Sequence, residues 1–451
     1  MSSPKRILIV GGGLAGMSAA VALESAGFAV TLVESRRALG GRAGSFEEPT
    51  TGEQLDNCQH VLLGCCTNLI DFYKRVGVSD RIGWESTIHF LDGAGRPFQL
   101  SAASRLPAPF HLSKSLMGFG LLSWPEKLAA TRAMLAMMLL GREGRDELAD
   151  VSFGDWLDAN QQPSSLLAKL YDPVLVGSLN EQCRMASAAY AIQVFQDALL
   201  LNRHGFPLGL PACPLQQLYE RLPCRDVRFG TRASELTWSG GRVAGVRLMN
   251  GQILSADIVI LATNHHAVQR WLPAGMLPGL SQLQGVPILG AHLWFDRPIL
   301  SDSHAALIEG PLQWVFRKDP TGRSVHGVIS AARDWVDVPK ETCLEAFAAQ
   351  IRATFPGARE AKLERGVIVI EKRATFSPLP GSDRLRPTQQ TDIVNLYLAG
   401  DYTRTGWPAT MEGAVRSGYL AAEAVCARYG QRQKYLLADL GSEWPGRMLG
   451  N

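Results

Sequence analysis

Lys5-Arg6-Ile7-Leu8-Ile9-Val10-Gly11-Gly12-Gly13-Leu14-Ala15-Gly16, closed by Val30-Thr31-Leu32-Val33-Glu34, reads as a strand, a glycine turn, a helix and a second strand. Residues 7–10 are four consecutive apolar β-formers, the mark of a strand buried on both faces. Gly11 permits the tight turn off that strand, Gly13 lets the backbone approach a pyrophosphate, and Gly16 lets the following helix pack closely against the strand. The helix runs through Ala15, Ala19, Ala20 and Ala22 and is expected to stop at Gly27, a left-handed position beyond its last turn. Leu14 and Ala15 open it, so its free N–H groups and positive dipole end point at the anion. The second strand ends at Glu34, whose carboxylate can accept from both ribose hydroxyls and would repel a 2′-phosphate. A bare GxGxxG is weak, because glycine-rich turns are common. Here strand, helix and acidic strand end stand where a nucleotide needs them, which outweighs the alternative of a ligand-free βα turn.

A second segment, Asn395-Leu396-Tyr397-Leu398-Ala399-Gly400-Asp401, leads into Pro408-Ala409-Thr410-Met411-Glu412-Gly413. Glu34 is followed by Ser35-Arg36-Arg37-Ala38-Leu39-Gly40-Gly41-Arg42-Ala43, which resembles the GGR motif of the flavin amine oxidase and carotenoid desaturase superfamily. The resemblance implies FAD as cofactor, with Arg42 and neighbouring amides on its diphosphate and Asp401 on its ribitol–phosphate portion. A helix starting between Ala409 and Met411 would aim its N-terminus at the flavin pyrimidine edge, where positive dipole favours the anionic reduced cofactor. Gly400-Asp401 alone could be an ordinary type I turn; the Met-Glu-Gly-Ala that follows argues against it.

At 451 residues the chain suits two interleaved domains. The formal charge is +3, hydrophobic residues make up 46%, and no basic stripe or acidic tail points to nucleic acid. Eight cysteines are scattered without CxxC or CxxH spacing, so no metal site is expected and a reducing, cytoplasmic compartment is the simplest reading. The run at 7–10 is too short for a secretory signal and enters the nucleotide turn directly. The longest apolar stretch, 112–140, is broken by Ser123-Trp124-Pro125-Glu126-Lys127. Ser123 and Glu126 have capping-box spacing, so a helix carrying Lys127 and Arg132 should begin there and end at Gly141, which is not a membrane span.

The fold class expected is α/β: a Rossmann-type FAD-binding domain, of the amine oxidase and phytoene desaturase kind, interleaved with an α+β substrate domain. The nucleotide domain takes 1–70, 205–275 and 390–451; the substrate domain takes 71–204 and 276–389. Val227 to Ala233 and Val243 to Leu248 read as strands, with Ala233 a candidate cofactor contact. Ser239-Gly240-Gly241 and Asn250-Gly251 are hairpin signals. Ala256 to Thr263 returns as a buried strand. In the substrate domain, Ala291 to Phe295 and Val367 to Ile370 read as strands, the latter yielding to charge at Glu371. A short helix from Ser165 to Leu170 should be ended by Pro173. The sequence holds no second dinucleotide fingerprint.

Three further stretches narrow the resemblance. Asp56-Asn57-Cys58-Gln59-His60-Val61-Leu62-Leu63-Gly64-Cys65, Glu371-Lys372-Arg373-Ala374-Thr375-Phe376, and Gly406 to Gly418 resemble segments of bacterial hydroxysqualene dehydroxylases. Cys58 replaces the glycine expected there. The resemblance implies reduction of a C30 isoprenoid alcohol to squalene by hydride from FAD, with an external electron donor such as NADPH or a reductase. The proton for the departing hydroxide has three candidate sources, Lys372, Arg373 and His60, with surface charge or a structural histidine as the bland readings; Asn180 and Glu181 are weaker. An apolar lip of Phe119, Leu121, Leu122 and Trp124, with Lys114 and Lys127 near lipid phosphates, is expected to touch the inner face of the cytoplasmic membrane. Two rival readings stand beside this one: a carotenoid desaturase working in the oxidising direction, and a non-catalytic lipid carrier of the GDP-dissociation-inhibitor type.

Overall fold

The computed structural model describes residues 5–450; residues 1–4 and 451, the outer ends of the first and last nucleotide-binding pieces, lie outside them. Five parallel strands form the first sheet, in the order Asp226–Arg228, Ala29–Val33, Arg6–Val10, Ile258–Leu261, Leu396–Leu398. The order runs outward in both directions from Arg6–Val10, so the carboxyl end of that strand is a topological switch point, the place where such sheets bind ligands. Ile7, Leu8 and Ile9 are buried, as a strand covered on both faces requires. The helix Leu14–Ser25 covers one face beside Met411–Arg428. The two helices meet through small residues: Ser18 Oγ donates to Val415 O, and a Cβ on Gly418 would stand 2.1 Å from Ser18 Oγ. Gly27, at φ 85, follows the last turn of the first helix in the left-handed conformation expected.

A seven-stranded sheet runs Leu363–Phe376, Gly285–Phe295, Ser324–Ile329, Trp314–Arg317, His304–Leu307, Thr87–Leu91, Pro97–Ser101. One face packs on the helix Lys340–Thr354 through Phe347 and Ile351. A helical layer, including Trp124–Leu140 and Ala188–Phe195, has its own core around Phe153, Leu175 and Phe195. Trp124–Leu140 begins with the expected capping box of Ser123 and Glu126. Among the described residues no helix is long and apolar enough to cross a membrane.

Three local expectations are corrected. Residues 227–233 are not one strand: Asp226–Arg228 ends, Gly230 turns at φ 61, and Ala233–Ser239 opens a separate hairpin sheet with Arg242–Leu248. The turn is tied to the first motif, since Gly230 N–H donates to Arg36 O and Thr231 N–H to Glu34 O. The 367–370 strand does not stop at Glu371 but runs to Phe376. Val286 pairs with Thr375 and Ile288 with Glu371, so residues 372–374 bulge opposite Pro287, which has no N–H to pair. Pro173 does not end its helix: a wide π-type turn, Leu167–Tyr171, passes into Asp172–Leu179 with Pro173 in the first turn, where a missing N–H costs little.

Candidate active site

One cavity of about 1850 Å³ opens at the switch point and continues under the helical layer. Gly11, Gly13, Leu14, Ala15, Glu34, Arg42, His60, Ala233, Lys372, Arg373, Asp401 and Met411 all line it. Gly16 stands behind the wall, where a Cβ would lie 1.9 Å from Gly11 O; it is the contact that lets helix meet strand. Gly11 sits at φ 114, with Ala262 O 2.5 Å from where its Cβ would be. Gly13 differs from both: its backbone is extended, and a Cβ there meets nothing within 4 Å. It is the N-cap of its helix yet has no side chain to satisfy the first N–H groups, which leaves them for an anion in the cavity.

Glu34 is fixed before any ribose arrives. Its Oε2 accepts the Gly12 N–H at 2.7 Å, and its Oε1 accepts the Arg36 N–H at 2.8 Å and the Ser35 hydroxyl at 3.0 Å. Arg42 donates to both carboxylate oxygens of Asp401, at 2.9 and 2.7 Å, and to Ala374 O at 2.7 Å. Burial penalises the charge on Asp401, but Arg42 at bonding distance more than offsets it, and the carboxyl titrates below its ordinary range. Gly400 N–H donates to Ser417 Oγ at 2.8 Å, holding the turn before Asp401 against the Met411–Arg428 helix. Thr410 caps that helix by accepting the Gly413 N–H at 3.1 Å. An open Gly13, an uncapped helix N-terminus, a guanidinium and an acceptor at the second strand end suit the diphosphate and ribose of an FAD.

The three proton-source candidates differ in setting. His60 is enclosed; its Nδ1 donates to Cys58 O at 2.9 Å, and burial lowers its pKa, so the ring is neutral with Nε2 as acceptor. Lys372 and Arg373 are exposed, at the cavity rim, and neither pairs with Glu371 among the described residues. Cys58 packs against Phe316 and Val328 of the large sheet, and burial pushes its thiol up to about 12, which makes it a neutral filler.

Sequence reading passed over two buried groups here. Glu412 accepts the N–H groups of Asn68 and Leu69, capping the helix Thr67–Val76, and burial raises its carboxyl above the ordinary range. Arg386 donates to Asp401 O at 3.1 Å, Thr403 O at 2.5 Å and Tyr190 Oη at 2.6 Å, locking the Asp401 turn. The groups they fix lie far away in sequence or on the backbone, and their nearby ion partners, Arg416 and Asp383, do not announce those roles. Asn180 and Glu181 are both buried, Asn180 on the cavity wall and Glu181 behind it, paired with Arg333.

Apolar side chains, among them Phe90, Leu116, Met134, Met138 and Leu170, line the remaining wall. The expected lip is corrected: Phe119 and Leu122 are only 2% and 3% exposed, inside the helical core, and Leu121 is half-buried. Trp124 is 69% exposed, with Lys127 Nζ 4.8 Å from its ring centre. Phe110, Met117, Leu135, Trp444 and Met448 are exposed apolar residues that line the cavity beside its apolar wall, and Met249 is another among its lining.

Residues 14–426 match the flavin containing amine oxidoreductase family. The chain is 27% identical to the 15-cis-phytoene desaturase of Synechococcus elongatus over 95% of this chain and 97% of that protein. It is 25% identical to the zeta-carotene desaturase of Arabidopsis thaliana over 93% of this chain and 85% of that one. In fold it is similar to an oxidoreductase from Methanosarcina mazei (TM-score 0.70, 18% identity, 94% of this chain and 100% of that one). Cyclohexylamine oxidase from Brevibacterium oxydans is comparable (TM-score 0.67, 16% identity, 95% and 100%). With the motif, the sheet order and the cavity in agreement, the chain belongs to the flavin containing amine oxidoreductase family and is an FAD-dependent oxidoreductase.

Proposed function

We propose that this protein is a hydroxysqualene dehydroxylase, reducing a C30 isoprenoid alcohol to squalene with release of water. One observation carries the reading. Residues from both subgroup segments, 56–65 and 371–376, line the same cavity between the nucleotide motifs and the apolar wall. At about 1850 Å³ that cavity exceeds the roughly 300–1,000 Å³ of a single small-molecule site, which leaves room for a long substrate beside the cofactor.

Bound FAD, in its reduced form, supplies the hydride. The protein's part is to keep water from a carbon that gains allylic cation character, for which the Met134, Met138 and Leu116 wall is suited. It must also give a proton to the departing hydroxide. A guanidinium is no proton donor in proteins, and neutral His60 has already committed its N–H to Cys58. Lys372 is therefore the proposed proton source, with His60 Nε2 free to hold a water. With no second dinucleotide fingerprint in the sequence, electrons are proposed to come from an external donor, NADPH or a reductase. The exposed apolar residues that line the cavity suit peripheral contact with the cytoplasmic face of a membrane, from which so insoluble a substrate would enter.

The names of the similar desaturases favour a second reading, oxidation of a long polyene in the same cavity. A lipid carrier without flavin chemistry is disfavoured by the intact glycine set, Arg42 and Asp401. Anaerobic incubation of photoreduced enzyme with hydroxysqualene, and of oxidised enzyme with phytoene, tests the readings by product. Squalene from the first supports dehydroxylation. Desaturated phytoene from the second, with no squalene from the first, transfers the assignment.

A further inference from the structure

The apolar half of the cavity contains a few polar side chains, and most are closed on the protein itself. Ser113 Oγ donates to Phe110 O, Thr131 Oγ1 to Lys127 O, Ser178 Oγ to Val174 O, Gln193 Nε2 to Gly406 O and Trp314 Nε1 to Pro173 O. Two hydroxyls break that pattern. Ser330, on the cavity wall and 4% exposed, has its backbone gripped at both ends by the Gln313 side-chain amide, while its Oγ has no partner among the described residues. Thr375 Oγ1 accepts from Asn180 Nδ2 at 2.9 Å, and its own proton has no acceptor among the described residues.

These two hydroxyls belong to one assembly. Asn180 Oδ1 accepts the N–H of Ala331, next to Ser330, at 2.7 Å, while its Nδ2 holds Thr375. Asn180, at φ 53, is the C-cap of the helix Asp172–Leu179, an ordinary left-handed place for asparagine, whereas Ala331, at φ 51, follows no helix end. Backbone in that region is sparsely populated and persists where surroundings enforce it. The enforcement comes from Glu181, fully buried behind the wall. It binds Arg333, three residues beyond Ser330, and Ser377, two beyond Thr375. One carboxylate thus pins all three segments. Thr375 also follows Ala374, whose carbonyl accepts from the Arg42 that pairs with Asp401, so the assembly lies at the nucleotide end of the apolar wall.

We infer that Ser330 and Thr375, positioned by Asn180 and Glu181, form an alcohol-recognition subsite that selects a hydroxylated isoprenoid over the hydrocarbon of the same length. A threonine oxygen already accepting one hydrogen bond is polarised to donate its own, and an unpaired serine hydroxyl on a cavity wall gains from a ligand that satisfies it. A hydrocarbon leaves both hydroxyls dry and unpaired, the condition under which a polar site rejects an analogue lacking the matching group. The inference rests on the dehydroxylase reading for its choice of alcohol and sharpens that reading to named side chains.

The test measures retention of tritiated hydroxysqualene and tritiated squalene by immobilised oxidised holoenzyme, in one detergent and without reductant, so that nothing turns over. Wild type should hold the alcohol about tenfold or more tightly than squalene. Ser330→Ala removes a hydroxyl that no protein group uses, so the fold has nothing to lose, and the preference should shrink severalfold with squalene retention unchanged. Thr375→Val should shrink it likewise, and Thr375→Ser should restore it. Equal retention of the two ligands by wild type overturns the inference, as does an undiminished preference in both Ser330→Ala and Thr375→Val. Failure of the functional reading looks different: photoreduced wild type would make no squalene, whatever ratio the retention assay returns.

Discussion

Replacing Gly13 with valine should separate cofactor binding from folding. Gly13 has φ −78 and ψ 178, ordinary extended backbone that a branched residue adopts without strain. Its Cβ would meet no atom within 4 Å, so the branch point of a valine stands in open space beside the cavity that Gly13 lines. It occupies the space in front of the uncapped helix N-terminus, where the diphosphate must come within hydrogen-bond reach of N–H groups. Losing two charge-assisted hydrogen bonds, at about 1.5–3 kcal/mol each, costs about 3–6 kcal/mol. That is a drop of roughly a hundredfold to ten-thousandfold in affinity. The assay compares flavin absorbance per mole of purified protein, Kd on reconstitution, and the melting temperature of the apoproteins. Gly13→Val should be colourless and should melt within about 2 °C of wild-type apoprotein. Gly16→Ala is the contrast: its Cβ would sit 1.9 Å from Gly11 O, so the helix must move and the apoprotein itself should melt lower. A Gly13→Val protein that carries stoichiometric FAD would refute the placement of the diphosphate.

Lys372→Met should lower kcat of photoreduced enzyme by about 10²–10⁴ while leaving FAD content and KM intact; an unchanged kcat moves the proton source elsewhere. Burial pulls His111, His265 and His304 down to about 4. In the unfolded chain histidine titrates near 6.5, so between about 6.5 and 4 the unfolded state binds more protons and stability falls with falling pH. Urea melts should show a plateau above pH 7 and a loss by pH 5 that His304→Phe reduces; a flat profile would show that these rings charge freely in the folded protein. Trp444→Ser with Met448→Ser should weaken liposome flotation, whereas Phe119→Ser should damage folding; unchanged flotation of the double variant removes Trp444 and Met448 as the lipid contact.

What could be read from sequence was local. The strand, turn and helix at 6–25 are specified by residues within reach of one another, and Ser123 with Glu126 announces a helix start without help from elsewhere. The strand ends depended on distant partners: the bulge at 372–374 exists because Pro287 lies opposite, and Gly230 turns where Arg36 and Glu34 offer acceptors. The 112–140 stretch is apolar on more than one face, so nothing local says that Phe119 and Leu122 go inside while Leu128 and Leu139 stay out. The alcohol subsite was equally hidden. Asn180 meets Thr375 195 residues further on and Ala331 151 residues on, and a serine alone carries no signal.

Arg42 is bound to Asp401, 359 residues away, and to Ala374, 332 residues away, so one guanidinium gathers three widely separated stretches of chain. During synthesis the glycine motif leaves the ribosome long before the carboxylate and carbonyl that orient its arginine. A nascent chain stopped short of residue 401 would display the whole dinucleotide fingerprint and still lack one side of the cofactor cradle. Flavin capture then waits on a carboxylate made 359 residues after the arginine it orients. A product truncated before Asp401 would remain colourless.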